Sequence, residues 1–444
     1  ICKASGHSRV IKQASIARTG RDKETILLLA DNSSEAQTWA SKIGRPVAKQ
    51  EEAFFVELQS GFIPPDFDEK LSTADVIEII RRHAASQSES ELKAWLAGRH
   101  LPTTIVMSIP LEDPNAGRVM IAVRLEQAVG ELARRAHKGF RAGHVPADLE
   151  MRFTRDVPVT KFHIERFDSD YLLTRGGATG RLLAKTVALV GCGSVNSHVA
   201  EHLASLGVGR LRIVEPEVLT SGNVHRHALG ASYVGINKAI GMKAQLGLRF
   251  PHIQVECREE KVEDVIKKNQ DFVMGADLVV IALGDENLEL RLNDLLARRV
   301  PRLHVWVEPL GVGGHLLATG IASGTGCYRC LFDVDPSYGI FNKSAFAAPG
   351  QHFQRTFSGC AGSFTPFASV DADQAAVEAA RHAASILMKA ETENVLISWR
   401  GSAPDFAQAG FLLSTRGRAF HDGERRRENR FVRSDCPSCH NVIT

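Results

Sequence analysis

The spacing of apolar and polar positions changes along the chain. In the first third, apolar residues gather in short runs, ETILLLAD, EAFFVELQ and TTIVMSIPLE, each of a length suited to one strand. Between them, TADVIEIIRRHAAS and ELKAWLAGR repeat apolar residues at helical intervals, and a capping box of Ser88 with Glu91 is expected to open the second helix. Residues 1–150 thus predict a smaller α/β domain. It holds Cys2 but no clustered His or Asp and no phosphate loop, so a linking or docking role is expected of it. The stretch HKGFRAGHVPADLEMRFTRDVPVTKF mixes Gly, Pro and scattered charge without period, and the connector is placed at residues 151–165.

From about residue 180 to 320, strands and helices alternate, the pattern of a parallel sheet covered on both faces. KTVALV reads as a buried strand and Gly191-Cys192-Gly193 as a sharp turn. In the helix that follows, Val195, Val199, Leu203 and Leu206 share one face and Gly207 ends it. RLRIVE ends at Glu215, and ADLVVIALGDEN runs a further buried strand towards Asp285. Residues 166–444 therefore predict a doubly wound, Rossmann-like α/β domain.

A chain of 444 residues is long enough for two or three domains. Its formal charge of +3 points to neither a nucleic acid nor a membrane surface, and its longest apolar runs, such as 277–283, are strand-sized. The first residue is Ile1 rather than Met, so a trimmed N-terminus is expected. Two CxxC pairs in a large chain without a secretion signal favour thiols and metal over disulfides, and the cytoplasm as compartment.

Bare N–H groups at a glycine turn opening a helix attract phosphate, which makes Gly191 and Gly193 candidate nucleotide ligands. Glu215, about twenty residues on, is spaced to bind ribose hydroxyls. The turn alone suits NAD, FAD or ATP. Asn223, Arg226 and Lys238 then supply polar and cationic groups, which the outer phosphates of ATP require and NAD does not. A carboxylate beyond a parallel strand, here Asp285, can hold Mg2+ between phosphates. Taken in order, the set favours ATP.

Cys327-Tyr-Arg-Cys330 and Cys436-Pro-Ser-Cys439 can each give two thiolates to one tetrahedral ion. Two such hooks close a four-cysteine site with no open position, so the expected zinc is structural. Cys360 remains, in the Gly- and Ser-rich FSGCAGSFTPF before an alanine-rich helix, and is the candidate nucleophile. Cys192 and Cys257 read as packing residues.

GVGRLRIVEPEVLTSGNVHRHALG, VGINKA and GDEN, in that order, resemble the adenylation domain of the ThiF, MoeB and ubiquitin-activating enzymes over about residues 165–440. The resemblance implies ATP with Mg2+, Glu215 on ribose, Asn223 and Arg226 on phosphate, Lys238 on pyrophosphate and Asp285 on the metal. It implies paired zinc hooks, and a thioester on Cys360, which lies between them. It also implies a homodimer in which one arginine reaches the partner subunit's site, with Arg175 in LLTRGG the candidate. Asn196 stands where the family has a glycine, Glu215 and Glu217 where it has aspartates, and His225 where it has an asparagine. Glu keeps the charge, and Asn is expected to tolerate the backbone angles of the lost glycine.

Within the family, GCGS, NVHRHALG and an extension ending in FRAGHVP look most like bacterial conjugating–activating fusions, some of which serve antiphage cyclic-nucleotide signalling. The implied acyl donor is the C-terminus of a ubiquitin-like protein or of a cGAS-like nucleotidyltransferase. The implied next acceptor is a ubiquitin-conjugating domain preceding Ile1. A groove for the donor's tail is expected along Gly311, Gly313 and Gly314. The competing readings are a sulfur-carrier activator for cofactor synthesis, adenylation of a peptide antibiotic precursor, a non-catalytic scaffold and, weakest, an NAD oxidoreductase.

Overall fold

The apolar runs of the first third become strands of one mixed sheet in a computed structural model. It describes residues 8–439 except 18–24, 43–46, 64, 65, 67, 98, 113–116, 142, 143, 163, 165, 167, 251, 297, 298, 323–325, 357–362, 402, 403 and 430. The chain divides into two units, Ile1–Tyr171 and Leu172–Thr444.

In the first unit the strands are β1 (Arg9–Ala17), β2 (Thr25–Ala30), β3 (Val47–Glu57), β4 (Thr103–Pro110), β5 (Arg118–Leu125) and β6 (Thr160–Phe162), in the order β2-β1-β3-β4-β5-β6. The β3–β4 pairing is parallel and the rest antiparallel. Helices α1 (Ser33–Lys42), α2 (Thr73–His83) and α3 (Ser86–Ala97) accompany them. Val76 and Ile80 of α2, and Leu92 and Leu96 of α3, meet Phe54, Val56, Ile105 and Met107 in a buried core. The capping box lies on α2, not α3. Ser72 and Asp75 exchange side-chain and backbone bonds there. Ser88 instead lies inside α3, buried, because that helix begins at Ser86.

The described residues after 137 are held by scattered anchors rather than by a period. Helices α4 (Gly130–His137) and α5 (Ala147–Phe153) precede β6, which pairs with β5. Residues 151–165, read as a connector, thus include the end of α5 and the sixth strand of the sheet. Met151 packs against the first unit's core, and the Val159 amide bonds to the Leu71 carbonyl at 2.8 Å. Single anchors of this kind leave no periodic trace.

Helix α6 (Ser169–Arg175) leads into the second unit. Its strands are β7 (Thr186–Val190), β8 (Arg210–Val214), β9 (Gln254–Arg258), β10 (Leu278–Ile281), β11 (Arg302–Val307) and β12 (Gly313–Thr319). A hairpin of β13 (Phe332–Asp335) with β14 (Gly339–Asn342) follows, and β15 (Arg355–Thr356) pairs antiparallel with β16 (Ser363–Phe364). Strands β17 (Val395–Arg400) and β18 (Arg425–Glu428) complete an eight-stranded sheet ordered β18-β17-β12-β11-β10-β7-β8-β9.

Strands β7 to β11 run parallel, and β12, β17 and β18 add antiparallel pairs. Its helices among the described residues are α7 (Ser194–Ser205), α8 (Lys238–Arg249), α9 (Val262–Lys268), α10 (Asp271–Met274), α11 (Glu286–Leu295), α12 (Ser369–Leu387), α13 (Pro404–Gln408) and α14 (Thr415–Arg418). Helices α7, α8 and α12 bury their apolar residues against one face, and α9, α10 and α11 against the other. This two-faced burial explains why β7 and β10 are buried at every position and, but for Thr186, apolar instead of alternating. The strand order reverses between β7 and β10, and open α/β sheets bind ligands beyond the strand ends at such a point. Among the described residues no helix is long and apolar enough to cross a membrane.

Candidate functional site

The glycine turn sits at that reversal. Val190 of β7 is level with Ile281 of β10, so Gly191 lies against the chain leaving β10. Gly191 has φ +80°, and a Cβ there would come within 2.8 Å of a Leu283 methyl and 3.0 Å of the Ala282 carbonyl. Both constraints require glycine. Gly193 then caps α7 with no side-chain partner for the first amides. Gly207, at φ +98°, follows that helix's C-terminus.

Both peptide groups of Cys192 are engaged. Its N–H donates to Glu215 Oε2 at 2.6 Å, and its carbonyl accepts from His227 Nε2 at 2.8 Å. The Leu229 N–H donates to His227 Nδ1, which fixes a neutral tautomer protonated at Nε2. Burial pushes this imidazole down to about 4. Glu215 also accepts from the Glu217 N–H. The turn is therefore held from two sides by buried side chains.

Asn196 lies inside α7 in regular helix, so backbone tolerance is not its role. Its buried amide donates to the carbonyls of Val190 and Gly191 at 3.0 and 2.9 Å. It fastens the turn from below, where a glycine would leave those carbonyls without that donor.

Lys238 opens α8, with its side chain 5% exposed and Nζ 2.5 Å from Glu217, itself 70% exposed. Asn237 caps the same helix and ties its amide to the Glu215 carbonyl. Asn223 accepts from the hydroxyl and N–H of Thr220 and so closes the loop after β8. Arg226, half-buried, lays its guanidinium 4.5 Å from the centre of the Phe367 ring and donates to the Thr365 carbonyl at 3.2 Å.

Asp285 is exposed and caps α11 through one oxygen, which accepts from the Leu288 N–H. Its approach is set by buried Glu289, which takes the N–H groups of Leu283 and Gly284 and pairs with His304. Nothing in the sequence marked Glu289, because its helical position looks like any solvated carboxylate.

The four hook cysteines converge. Their sulfurs lie within 4.8 Å of one another, with Cys327–Cys436 at 3.7 Å, Cys327–Cys330 at 4.0 Å and Cys330–Cys439 at 3.4 Å. Zinc–sulfur bonds of about 2.3 Å in a tetrahedron put sulfurs about 3.8 Å apart, so the set fits a metal. The buried Asn293 amide donates to Cys327 Sγ at 3.5 Å, and its oxygen accepts from the Tyr328 N–H.

The remaining cysteines differ. Burial pushes the Cys192 thiol well up and that of Cys257 up to about 11, as expected of packing residues. Cys360 lies outside the described residues. Arg175 ends α6 exposed, with no side-chain partner among the described residues.

The glycines expected along a tail groove are filled from outside. A Cβ on Gly313 would strike the Phe346 ring at 2.4 Å, one on Gly314 the Trp399 ring at 2.4 Å, and one on Gly311 the Asp371 carboxylate. They permit close packing of the antiparallel strands rather than lining an open channel. One chain of polar groups, Ser398 to His315 at 2.9 Å and His315 to Glu308 at 2.7 Å, has the order of a nucleophile, base and carboxylate. Ser398 and His315 are fully buried, so it is structural.

The chain belongs to the ThiF family, which it matches over residues 168–408. It is similar to the ATP-dependent ubiquitin transferase-like protein Cap2 of Pseudomonas aeruginosa, 29% identical over half of this chain and 40% of that protein. It is also similar to the SAMP-activating enzyme E1 of Haloferax volcanii, 29% identical over 40% of this chain and 64% of that one. The chain therefore spans less than two thirds of these relatives. Among solved structures, Escherichia coli MccB with ATP is 19% identical with a TM-score of 0.42, over 61% of this chain and 69% of that one.

Proposed function

We propose that the second unit binds MgATP and joins AMP to the C-terminal carboxylate of a protein. The observation that carries this is the glycine turn at the sheet's reversal, clamped by Glu215 and His227, with Lys238, Arg226 and Asp285 on loops and helix starts beyond the same strand ends. A carboxylate is already nucleophilic, so the work is to bring two anions together and to stabilise the leaving pyrophosphate. A carboxylate oxygen attacks the α phosphorus, the bond to the β-phosphate bridging oxygen breaks, and pyrophosphate leaves.

Gly191 and Gly193 admit the phosphates, Glu215 binds ribose, and Asn223, Arg226 and Lys238 hold the phosphate charge. Asp285 would hold Mg2+, which would neutralise phosphate charge. Cys327, Cys330, Cys436 and Cys439 hold a structural zinc. Arg175 completes the site of a second copy in a homodimer.

The thiolate of Cys360 then attacks the activated carbonyl, and AMP departs as the thioester forms. The donor is the C-terminus of a ubiquitin-like protein or of a cGAS-like nucleotidyltransferase. Similarity to proteins named as ubiquitin transferase-like and SAMP-activating supports the former. Similarity to the mouse adenylyltransferase and sulfurtransferase MOCS3, 30% identical over 40% of this chain, supports a sulfur-carrier donor as the second reading.

Exchange of radiolabelled pyrophosphate into ATP, dependent on the donor protein, tests the first step. A thiol-sensitive adduct lost in Cys360→Ala tests the second. No exchange with any ubiquitin-like, nucleotidyltransferase or sulfur-carrier donor would leave a scaffold.

A further inference from the structure

Arg226 is held by a segment far from it in the chain. Residues 364–367 precede α12 and are themselves fixed. The Leu310 N–H donates to the Pro366 carbonyl at 2.6 Å, and the Ala368 N–H donates to the Asp371 carboxylate at 2.8 Å. Against this fixed segment the Arg226 guanidinium lies over Phe367 at 4.5 Å, with Phe364 at 6.0 Å, and donates one N–H to the Thr365 carbonyl at 3.2 Å.

An arginine side chain left in water loses substantial rotamer freedom on gripping a phosphate, and an aromatic face with one anchored N–H removes that loss beforehand. A guanidinium has five N–H donors, and its ring-facing side uses none of them. The outer edge is thus left for an anion while the face stays on the ring.

We propose that Phe367 is a positioning residue for nucleotide binding, its ring and the Thr365 carbonyl holding Arg226 ready for a phosphate. This rests on the adenylation reading and extends it, since Phe367 touches no reacting atom. Tyr or Trp at 367 keeps a π face for the cation, whereas Leu keeps the apolar bulk and loses the face.

The test is MgATP binding to the full chain, measured by calorimetry. Phe367→Leu is expected to weaken binding about fivefold, the size of a partly buried cation–π contact. Phe367→Tyr and Phe367→Trp are expected to stay within about twofold of the parent. In an Arg226→Ala background, Phe367→Leu is expected to change nothing further, because its effect passes through the arginine.

An equal loss from Phe367→Leu in both backgrounds would overturn the proposal, as would failure of Tyr and Trp to restore affinity. Both results are distinct from failure of the underlying reading, which would show as no MgATP binding by the unsubstituted chain.

Discussion

His227 donates from Nε2 to the Cys192 carbonyl at 2.8 Å while accepting the Leu229 N–H on Nδ1, so the ring must stay neutral to hold the glycine turn. Its folded value, about 4, lies below the ordinary 6.5 because burial penalises the charged form. The unfolded chain therefore binds the extra proton first as pH falls. The stability His227 contributes is complete above about pH 6.5 and is lost as pH drops towards 4. The loss is at most about 3 kcal/mol. Urea unfolding between pH 4 and 7 is expected to show a shallower pH slope in His227→Gln, which keeps a donor but cannot titrate. An unchanged slope would place the titrating group elsewhere.

That pairing marks the boundary of what the sequence discloses. The turn was legible because Gly191, the apolar face of α7 and Gly207 are local signals within one strand–turn–helix. The four-thiol cluster was legible because each hook carries its own spacing. The clamps were not. His227 and Glu289 act through buried bonds to backbone groups, and nothing in a residue's own neighbourhood reports burial. Gly313 and Gly314 misled for the same reason, since the rings of Phe346 and Trp399 come from distant strands and loops. Ser88 misled because α3 begins at Ser86, three residues before the start that a Ser88 cap implies.

Asp285 separates a structural from a chemical role. One oxygen caps α11, and asparagine caps as well as aspartate. Asp285→Asn is expected to leave the melting temperature within about 1 °C, a ΔΔG of a few tenths of a kcal/mol. Pyrophosphate exchange is expected to fall at least about a hundredfold, the scale of losing a preorganised charge contact. Raising Mg2+ should restore part of it. A variant that exchanges at the parental rate would remove Asp285 from the metal site.

The cysteine hooks predict one metal per chain. Elemental analysis is expected to find one zinc equivalent, absent in a Cys327→Ser, Cys436→Ser double variant that cuts both hooks. Because residues 327 and 436 are far apart in sequence, the ion closes a long loop, and chelation is expected to lower the melting temperature by several degrees. Cys360→Ala should retain the metal and its stability. Zinc retained at full stoichiometry in the double variant would contradict a four-thiolate site.

Lys238 offers the sharpest separation of folding from chemistry, through the unequal burial of its ion pair. Its side chain is 5% exposed and that of Glu217 is 70% exposed, so removing the lysine strands no buried carboxylate. The usual large penalty for breaking a buried pair does not apply, and Lys238→Met, which keeps the apolar stem, is expected to cost about 1 kcal/mol or less. The ammonium at the first turn of α8, where the helix itself favours anions, is in contrast placed to meet phosphate charge. Pyrophosphate exchange in Lys238→Met is expected to drop by roughly a hundred- to a thousandfold. Glu217→Gln, which leaves the cation in place, is expected to change the rate by less than about fivefold, as for a solvent-screened partner. If both variants lost exchange equally, the pair would act as a structural unit, and the pyrophosphate charge would have to be met by Arg226 and the metal alone.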